Sequence, residues 1–325
     1  MYKIPQKEYF IFLESKSNNC IIKTYKNLFE LKEKDKYPFS NSNIQIKFLV
    51  TEIYRTKNIT YLNYFMILLT HFLSFNNSFQ LLDIIKNKEI TDIEIMSYVL
   101  KIKDKNKSLN TSYSIGEVCG KQSFGFEYLK MKMNKNIKMN HNSKYLDIGC
   151  GDGRKTTLIS KIFNIKKDNV YGTDIEVWGP YMSNKKFNFD FKYILKNEKL
   201  DYPDNTFHFI TCILTLHHIK NLDMIINEIH RILKPHGVFV LIEHDILNYM
   251  DNLIVDIQHT FFAFLYDKNK NYIKAPYYSN YFNNMEFEYI FTHKHNFKLI
   301  ESGIFSQTIN MQKRYDAQFF QIYKK

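Results

Sequence analysis

Three glycines at alternate positions, Gly149, Gly151 and Gly153, follow a short apolar run, Lys144-Tyr145-Leu146-Asp147-Ile148, and precede a segment with helical spacing. Glycine reaches backbone conformations that a Cβ forbids, so the triplet specifies a tight turn between a strand and a helix. The bare backbone also lets a ligand approach closely. A strand, a glycine-rich turn and a helix in this order open a doubly wound sheet of the mononucleotide-binding kind. The spacing G-x-G-x-G is not the dinucleotide pattern G-x-G-x-x-G, and no Gly-Lys-Thr ending marks a phosphate loop. A nicotinamide-dependent oxidoreductase is disfavoured on that ground.

Beyond about residue 140, short apolar runs alternate with helical segments. The runs Lys144–Ile148, Asn169–Thr173, Phe189–Ile194, Phe207–Leu214, Val238–Glu243, Lys298–Ile304 and Ala317–Tyr323 are expected strands. Helices are expected at about 154–164, 221–233, 246–267 and 279–294. This alternation predicts a parallel α/β sheet of seven strands with right-handed crossovers. The short connection between the final two strands points to an antiparallel last strand. The first 115 residues contain no glycine, and their apolar residues recur at helical spacing, as in Tyr61, Tyr64, Phe65, Ile67, Leu68 and Phe72. They predict a mainly α-helical region with breaks near Lys36-Tyr37-Pro38, Asn76-Asn77-Ser78 and Lys103–Ser108. Two domains follow: 1–108 helical and accessory, 109–325 carrying the sheet.

The glycine turn and its neighbours resemble a known family. Leu146-Asp147-Ile148-Gly149-Cys150-Gly151-Asp152-Gly153 is similar to the first motif of class I S-adenosylmethionine-dependent methyltransferases. Val170-Tyr171-Gly172-Thr173-Asp174-Ile175 resembles the second strand of that family, and Leu200 to Ile210 the approach to its fourth. Leu214-Thr215-Leu216-His217-His218-Ile219 resembles the end of that strand. Glu228 to Phe239 resembles the helix and turn before the fifth. The resemblance is close over about 141–245, looser over 246–325, and silent on 1–110. It implies a doubly wound, Rossmann-like methyltransferase sheet and S-adenosylmethionine as cofactor. It also implies a cofactor site built from Asp147, Gly149, Gly151, Gly153, Asp174, Ile175, Asn197 and Leu214. Asp174, at a strand end, is suited to accept from both ribose hydroxyls, because a carboxylate is an acceptor and alcohols donate; an N-cap role is the alternative. Asp147 is expected to accept from the turn backbone or the ligand's amino end, with support of the loop as the other reading. Trp178, Tyr113 and Phe126 are candidates for covering the cofactor, with core packing the equal alternative. Many relatives carry an acid after the third strand, to meet the adenine amino group; here Lys196 or Asn197 stands near that point.

Methyl transfer from a sulfonium is an in-line displacement, so alignment and exclusion of water do most of the work. A base is needed only where the acceptor must lose a proton. In a doubly wound sheet the acceptor lies beyond the carboxyl ends of the strands. Two clusters fall there. Glu243-His244-Asp245, ending the apolar run Val238–Ile242, is the candidate for catalysis or acceptor binding; solvation of a strand end is the alternative. His217-His218 is the second cluster, with bracing of the loop as its plainer reading. No signature names the acceptor atom.

Charge bears on the partner. The chain carries a formal net charge of +12. Residues 1–140 hold 22 Lys/Arg against 13 Asp/Glu, while 141–325 hold 23 against 20. The segment 101–140, with nine basic and three acidic residues, is the densest. That asymmetry favours a polyanion, and an RNA acceptor is expected ahead of a small molecule. Lysine enrichment from AT-rich codons is the alternative source of the charge. A non-catalytic, methyltransferase-like scaffold for nucleic acid or protein is the second functional reading. The four cysteines show no paired spacing, so no metal site is expected from them. No run reaches the roughly 20 apolar residues of a membrane span, and a cytoplasmic protein is expected.

Overall fold

The computed structural model describes residues 46–70, 72–102, 125–133, 139–175, 187–194, 199–266, 279–305 and 318–325. Among the described residues four helices come first: α1 (Ile46–Thr56), α2 (Ile59–Thr70), α3 (Phe75–Asn87) and α4 (Asp92–Ile102). A further helix, α5, covers 125–133. The order then runs β1 (Tyr145–Ile148), α6 (Arg154–Ile162), β2 (Val170–Asp174), β3 (Asp190–Tyr193), β4 (Phe207–Ile213), α7 (Leu222–Ile232) and β5 (Leu233–His244). It closes with α8 (Tyr249–Tyr266), α9 (Asn284–Tyr289), β6 (Lys298–Ile304) and β7 (Gln318–Lys324). The seven strands form one sheet in the order β3-β2-β1-β4-β5-β7-β6. β7 runs antiparallel to both β5 and β6, and the remaining pairs are parallel. The fold is the doubly wound, Rossmann-like methyltransferase sheet expected from the sequence, preceded by helices.

Alternation along the central strands sends side chains to two cores. Phe207, Ile210, Cys212, Phe239 and Leu241 pack with α7 and α9 on one face. Tyr145, Phe209, Val240 and Ile242 pack with α5 and α6 on the other. Each fully buried aliphatic or aromatic side chain contributes about 1.5–3 kcal/mol.

Several expected boundaries move, each for a local reason. Asn76-Asn77-Ser78 is not a break. Ser74 caps α3 by accepting from the Asn77 N–H, so these residues form its first turn. The helix expected over 279–294 starts only at Asn284, because Asn283 and Glu286 close a capping box there. It ends in a π turn, Ile290–Lys294. That leaves 279–283 irregular, laid across the strand ends. α8 starts at Tyr249, after Asn248 accepts from the N–H groups of Met250 and Asp251. β5 reaches back to Leu233, with a register shift opposite Phe207–Phe209. Lys234 lies in that irregularity. The breaks at Lys36-Tyr37-Pro38 and Lys103–Ser108 lie outside the described residues.

The helices α1–α4 share their core with α8. Ile53, Phe65, Leu69, Phe72, Leu81 and Val99 belong to one buried cluster with Ile246, Leu253, Ile254, Ile257, Phe261 and Tyr281. Phe72 stacks on Phe261 with ring centroids 5.3 Å apart. Tyr61 donates to the Asp251 carboxylate at 2.7 Å, tying α2 to the start of α8. Phe261→Ala is therefore expected to cost about 3–5 kcal/mol by chemical denaturation. A loss below about 1 kcal/mol would show that the helical region does not lean on α8.

Candidate functional site

The turn after β1 holds Gly149, Gly151 and Gly153 at φ of 73°, 54° and 74°. At Gly149 an added Cβ would lie 2.0 Å from Thr215 Oγ1, so both space and conformation demand glycine. At Gly151 a Cβ would meet nothing within 4 Å among the described residues, so there only the left-handed backbone calls for glycine. Asp174, the last residue of β2, faces the turn. One of its oxygens accepts from the Gly151 N–H and the other from the Ile175 N–H, both at 2.8 Å. A carboxylate has about four acceptor positions, so ribose hydroxyls fit the same group. Ile175 is 64% exposed beside it. Leu214 sits at φ 53° just past β4, a strained conformation for a side chain with a Cβ. Its N–H donates to the Ile242 carbonyl at 2.8 Å.

Asp147 lies underneath. Its carboxylate accepts from the hydroxyls of Thr156 and Thr211, each at 2.6 Å, and Thr211 also meets the Tyr145 hydroxyl at 2.8 Å. Its partners are side-chain hydroxyls, not the turn backbone anticipated above. The pleat places Asp147 between β4 and the first turn of α6, so it braces both. Burial raises this carboxyl from 3.8 to about 6.

Beyond the ends of β4 and β5, five ring side chains converge. His217 and His218 sit on a 3₁₀ turn, Leu216–His218. His244 ends β5, His259 comes from α8, and Tyr281 from the irregular 279–283 segment. Ring centroids of His217, His244 and His259 lie 5.1–5.3 Å apart. Tyr281 stacks on His217 at 5.1 Å, and His218 lies 5.3 Å from His259.

Glu243, only 1% exposed, organises this group. Oε2 meets His217 Nδ1 at 2.6 Å and accepts from the His244 N–H at 3.3 Å. Oε1 accepts from the N–H groups of Thr215 at 2.8 Å and His217 at 3.4 Å. Burial pushes this carboxyl up from its ordinary value. Against that, the convergence of N–H donors favours the ionised form. A carboxylate there assigns the proton to His217 Nδ1 and leaves a lone pair on Nε2. Burial holds His217 and His244 well below the ordinary imidazole range, and lowers His259 as well. All three are neutral near pH 7.

The structure thus brings Glu243 and His244 together with His217. Asp245 points elsewhere, its carboxylate accepting from the Asn284 N–H at the start of α9 at 3.1 Å. His259 and Tyr281 belong to the cluster but carry no local sequence signal. Phe126 is buried against Phe305 behind the sheet, because α5 covers that face, and it is not over the cofactor turn. Asn197, Lys196, Trp178, Tyr113 and most of the basic segment 101–140 lie outside the described residues. Within that segment Lys132 pairs with Glu301 at 2.9 Å. No helix among the described residues is long and apolar enough to cross a membrane.

Residues 122–301, more than half of the chain, match the family described as a methyltransferase domain. The chain belongs to that family. It is a class I methyltransferase domain, and S-adenosylmethionine is its cofactor. Over 95 residues the domain is 34% identical to the mitochondrial arginine-hydroxylase NDUFAF5 of Rattus norvegicus, covering 29% of this chain and 27% of that protein. Over 120 residues it is 28% identical to the sterol 24-C-methyltransferase ERG6B of Gibberella zeae, covering 36% and 32%. Over 112 residues it is 27% identical to the ubiquinone/menaquinone biosynthesis C-methyltransferase UbiE of Rickettsia akari, covering 32% and 45%. The chain spans less than half the length of these relatives. A solved S-adenosylmethionine-dependent methyltransferase from Aquifex aeolicus is 17% identical, with 64% of this chain and 92% of that one covered at a TM-score of 0.41.

Two predictions test this part of the methyltransferase domain. Gly149→Ala meets both Thr215 and a left-handed backbone, and is expected to destabilise by at least about 2 kcal/mol. Gly151→Ala pays only the backbone term, about 1–2 kcal/mol, and should fold while binding cofactor more weakly. Equal stability of the two variants by thermal melting would contradict the geometry. For Asp147, the folded carboxyl holds its proton more tightly than the unfolded one. Its contribution to stability is therefore lost as pH rises from about 3.8 to about 6, and constant above that. The stability difference between wild type and Asp147→Asn should change by roughly 3 kcal/mol across that window, in the variant's favour at the upper end. A difference that stays flat with pH in urea titrations would overturn the assignment.

Proposed function

We propose that the chain is an active methyltransferase whose acceptor is a small molecule presenting an oxygen, nitrogen or activated carbon to the buried histidine cluster. The observation that carries this reading is the placement of Glu243, His217 and His244, at most 5% exposed, at the carboxyl ends of β4 and β5. An enclosed cluster of that kind admits a small acceptor group more readily than a folded polynucleotide. The sterol and quinone C-methyltransferases among the relatives are named for small acceptors, which supports the same reading.

S-adenosylmethionine supplies a methyl group already activated on a sulfonium. The chain's own residues do the rest. Asp174 fixes the ribose, the bare backbone at Gly151 gives close approach, and Leu214 marks the strand end between the two halves of the site. His217, oriented by Glu243, and His244 line the place where the acceptor's polar group would lie. The helical region packs on α8, which carries His259 to this end.

RNA remains the second reading, favoured by the excess of charge in residues 1–140 over 141–325. The scaffold reading is decided by the same experiment as the first: calorimetric titration with S-adenosylmethionine and its demethylated product. Micromolar binding of both is expected, and a folded Asp174→Ala should bind about 100-fold more weakly through loss of charged hydrogen bonds. Unchanged affinity in that variant would remove the ribose assignment, and absence of binding by wild type would favour a scaffold. RNA binding that weakens steeply from roughly 50 to 200 mM salt would move the acceptor to RNA.

A further inference from the structure

We propose that His217, His244 and His259 form a binding site for a divalent transition-metal ion of the zinc class. One nitrogen from each ring lies within 4.8 Å of the others. Tetrahedral zinc with bonds of 2.0–2.1 Å sets its nitrogens roughly 3.3 Å apart, so modest ring movements close the set. The three side chains come from three elements: the turn after β4, the end of β5, and α8. No local motif could have announced them.

Two buried nitrogens lack a partner. His217 Nε2 and His244 Nδ1 make no hydrogen bond and are shielded from solvent. A buried polar atom left in this state costs about 1–3 kcal/mol. Glu243 draws the His217 proton to Nδ1 and leaves a lone pair on Nε2, and a neutral His244 with its proton on Nε2 offers another, so the two atoms suit an occupant that accepts lone pairs. A cation does so, whereas a further hydrogen-bond acceptor would not.

The tautomers agree with ligation. Glu243 engages His217 Nδ1 at 2.6 Å, so ligation falls to Nε2. The Val255 carbonyl lies 2.8 Å from His259 Nδ1, and ligation there also falls to Nε2. A carboxylate and a backbone carbonyl on the far nitrogens are the supports that fix metal-binding imidazoles. The Tyr281 hydroxyl, 3.1 Å from His259 Nδ1 and 3.4 Å from the Asp256 carboxylate, extends that support. Three imidazoles select zinc, iron, cobalt, nickel or copper over magnesium and calcium, which prefer oxygen. A three-histidine set leaves a coordination position open. Its use rests on the methyl-transfer reading above: at the ends of β4 and β5, the open position would hold an oxygen or nitrogen of the acceptor.

The test is titration of the full chain, stripped with a chelator, with Zn²⁺ by calorimetry and with Co²⁺ by visible absorption. One ion per chain is expected, with a visible cobalt band. His259→Ala, at a half-buried position that should leave the fold intact, is expected to weaken binding at least 100-fold. Glu243→Gln should weaken it about 10- to 100-fold, the usual effect of removing such a support. His293→Ala, on the exposed end of the π turn, should change nothing. A folded wild type that binds no ion, or His259→Ala binding as tightly as wild type, overturns the site. Parallel titration with S-adenosylmethionine separates the two readings. Cofactor binding without an ion removes the metal and leaves methyl transfer standing; ion binding without cofactor keeps the metal and removes the transfer.

Discussion

A single buried carboxylate holds the acceptor end of the fold together. Glu243 stands at the end of β5, almost without solvent, and receives the backbone N–H groups of Thr215, His217 and His244 as well as the His217 ring. Burying a charge is costly unless several donors meet it. Here all of those donors but the His244 N–H come from the loop that follows β4, so satisfying the charge also fixes that loop. Thr215, placed in this way, fills the space beside Gly149. The turn that receives the cofactor and the loop that carries the histidines are therefore packed against each other, and neither can shift alone.

The helical region gains a role from the same arrangement. Its helices bury their apolar faces with α8. α8 in turn delivers His259 to the cluster and Asp256 to Ser279. A helix anchored on one side by Phe65, Leu69 and Phe72 presents its other side to the strand ends. Packing far from the chemistry thus sets the position of a ring that belongs to it. Rigid support from packed elements positions a site more accurately than a loop alone would.

How much of this was legible in the sequence depends on the range of the interactions. The glycine turn, the strand alternation and the acid ending β2 are local, and each was visible as a pattern of neighbours. The antiparallel last strand followed from a short connection. Helix starts were less visible, because they hinge on single caps such as Ser74, Asn248 and Asn283 that outweigh the apolar period. Within the site, Glu243 and His244 stood out at a strand end, but Asp245, their neighbour, turns away to meet Asn284. His259 and Tyr281 were invisible for a physical reason: a histidine inside an amphipathic helix looks like any surface position until the tertiary fold places it beside His217.

The expectation that no metal belongs here came from cysteine spacing, which reports only the sites built from local pairs. A site assembled from three separate elements leaves no such trace. Its signature is energetic and appears only after folding, as nitrogen atoms that have lost water without gaining a partner. His217 Nε2 and His244 Nδ1 have that signature, while the carboxylate that orients His217 is satisfied on both oxygens. A buried charge short of donors costs far more than a buried neutral nitrogen, so the network meets the carboxylate first. Here the network completes the carboxylate, fixes the tautomer of the ring it touches, and leaves the opposite nitrogen open.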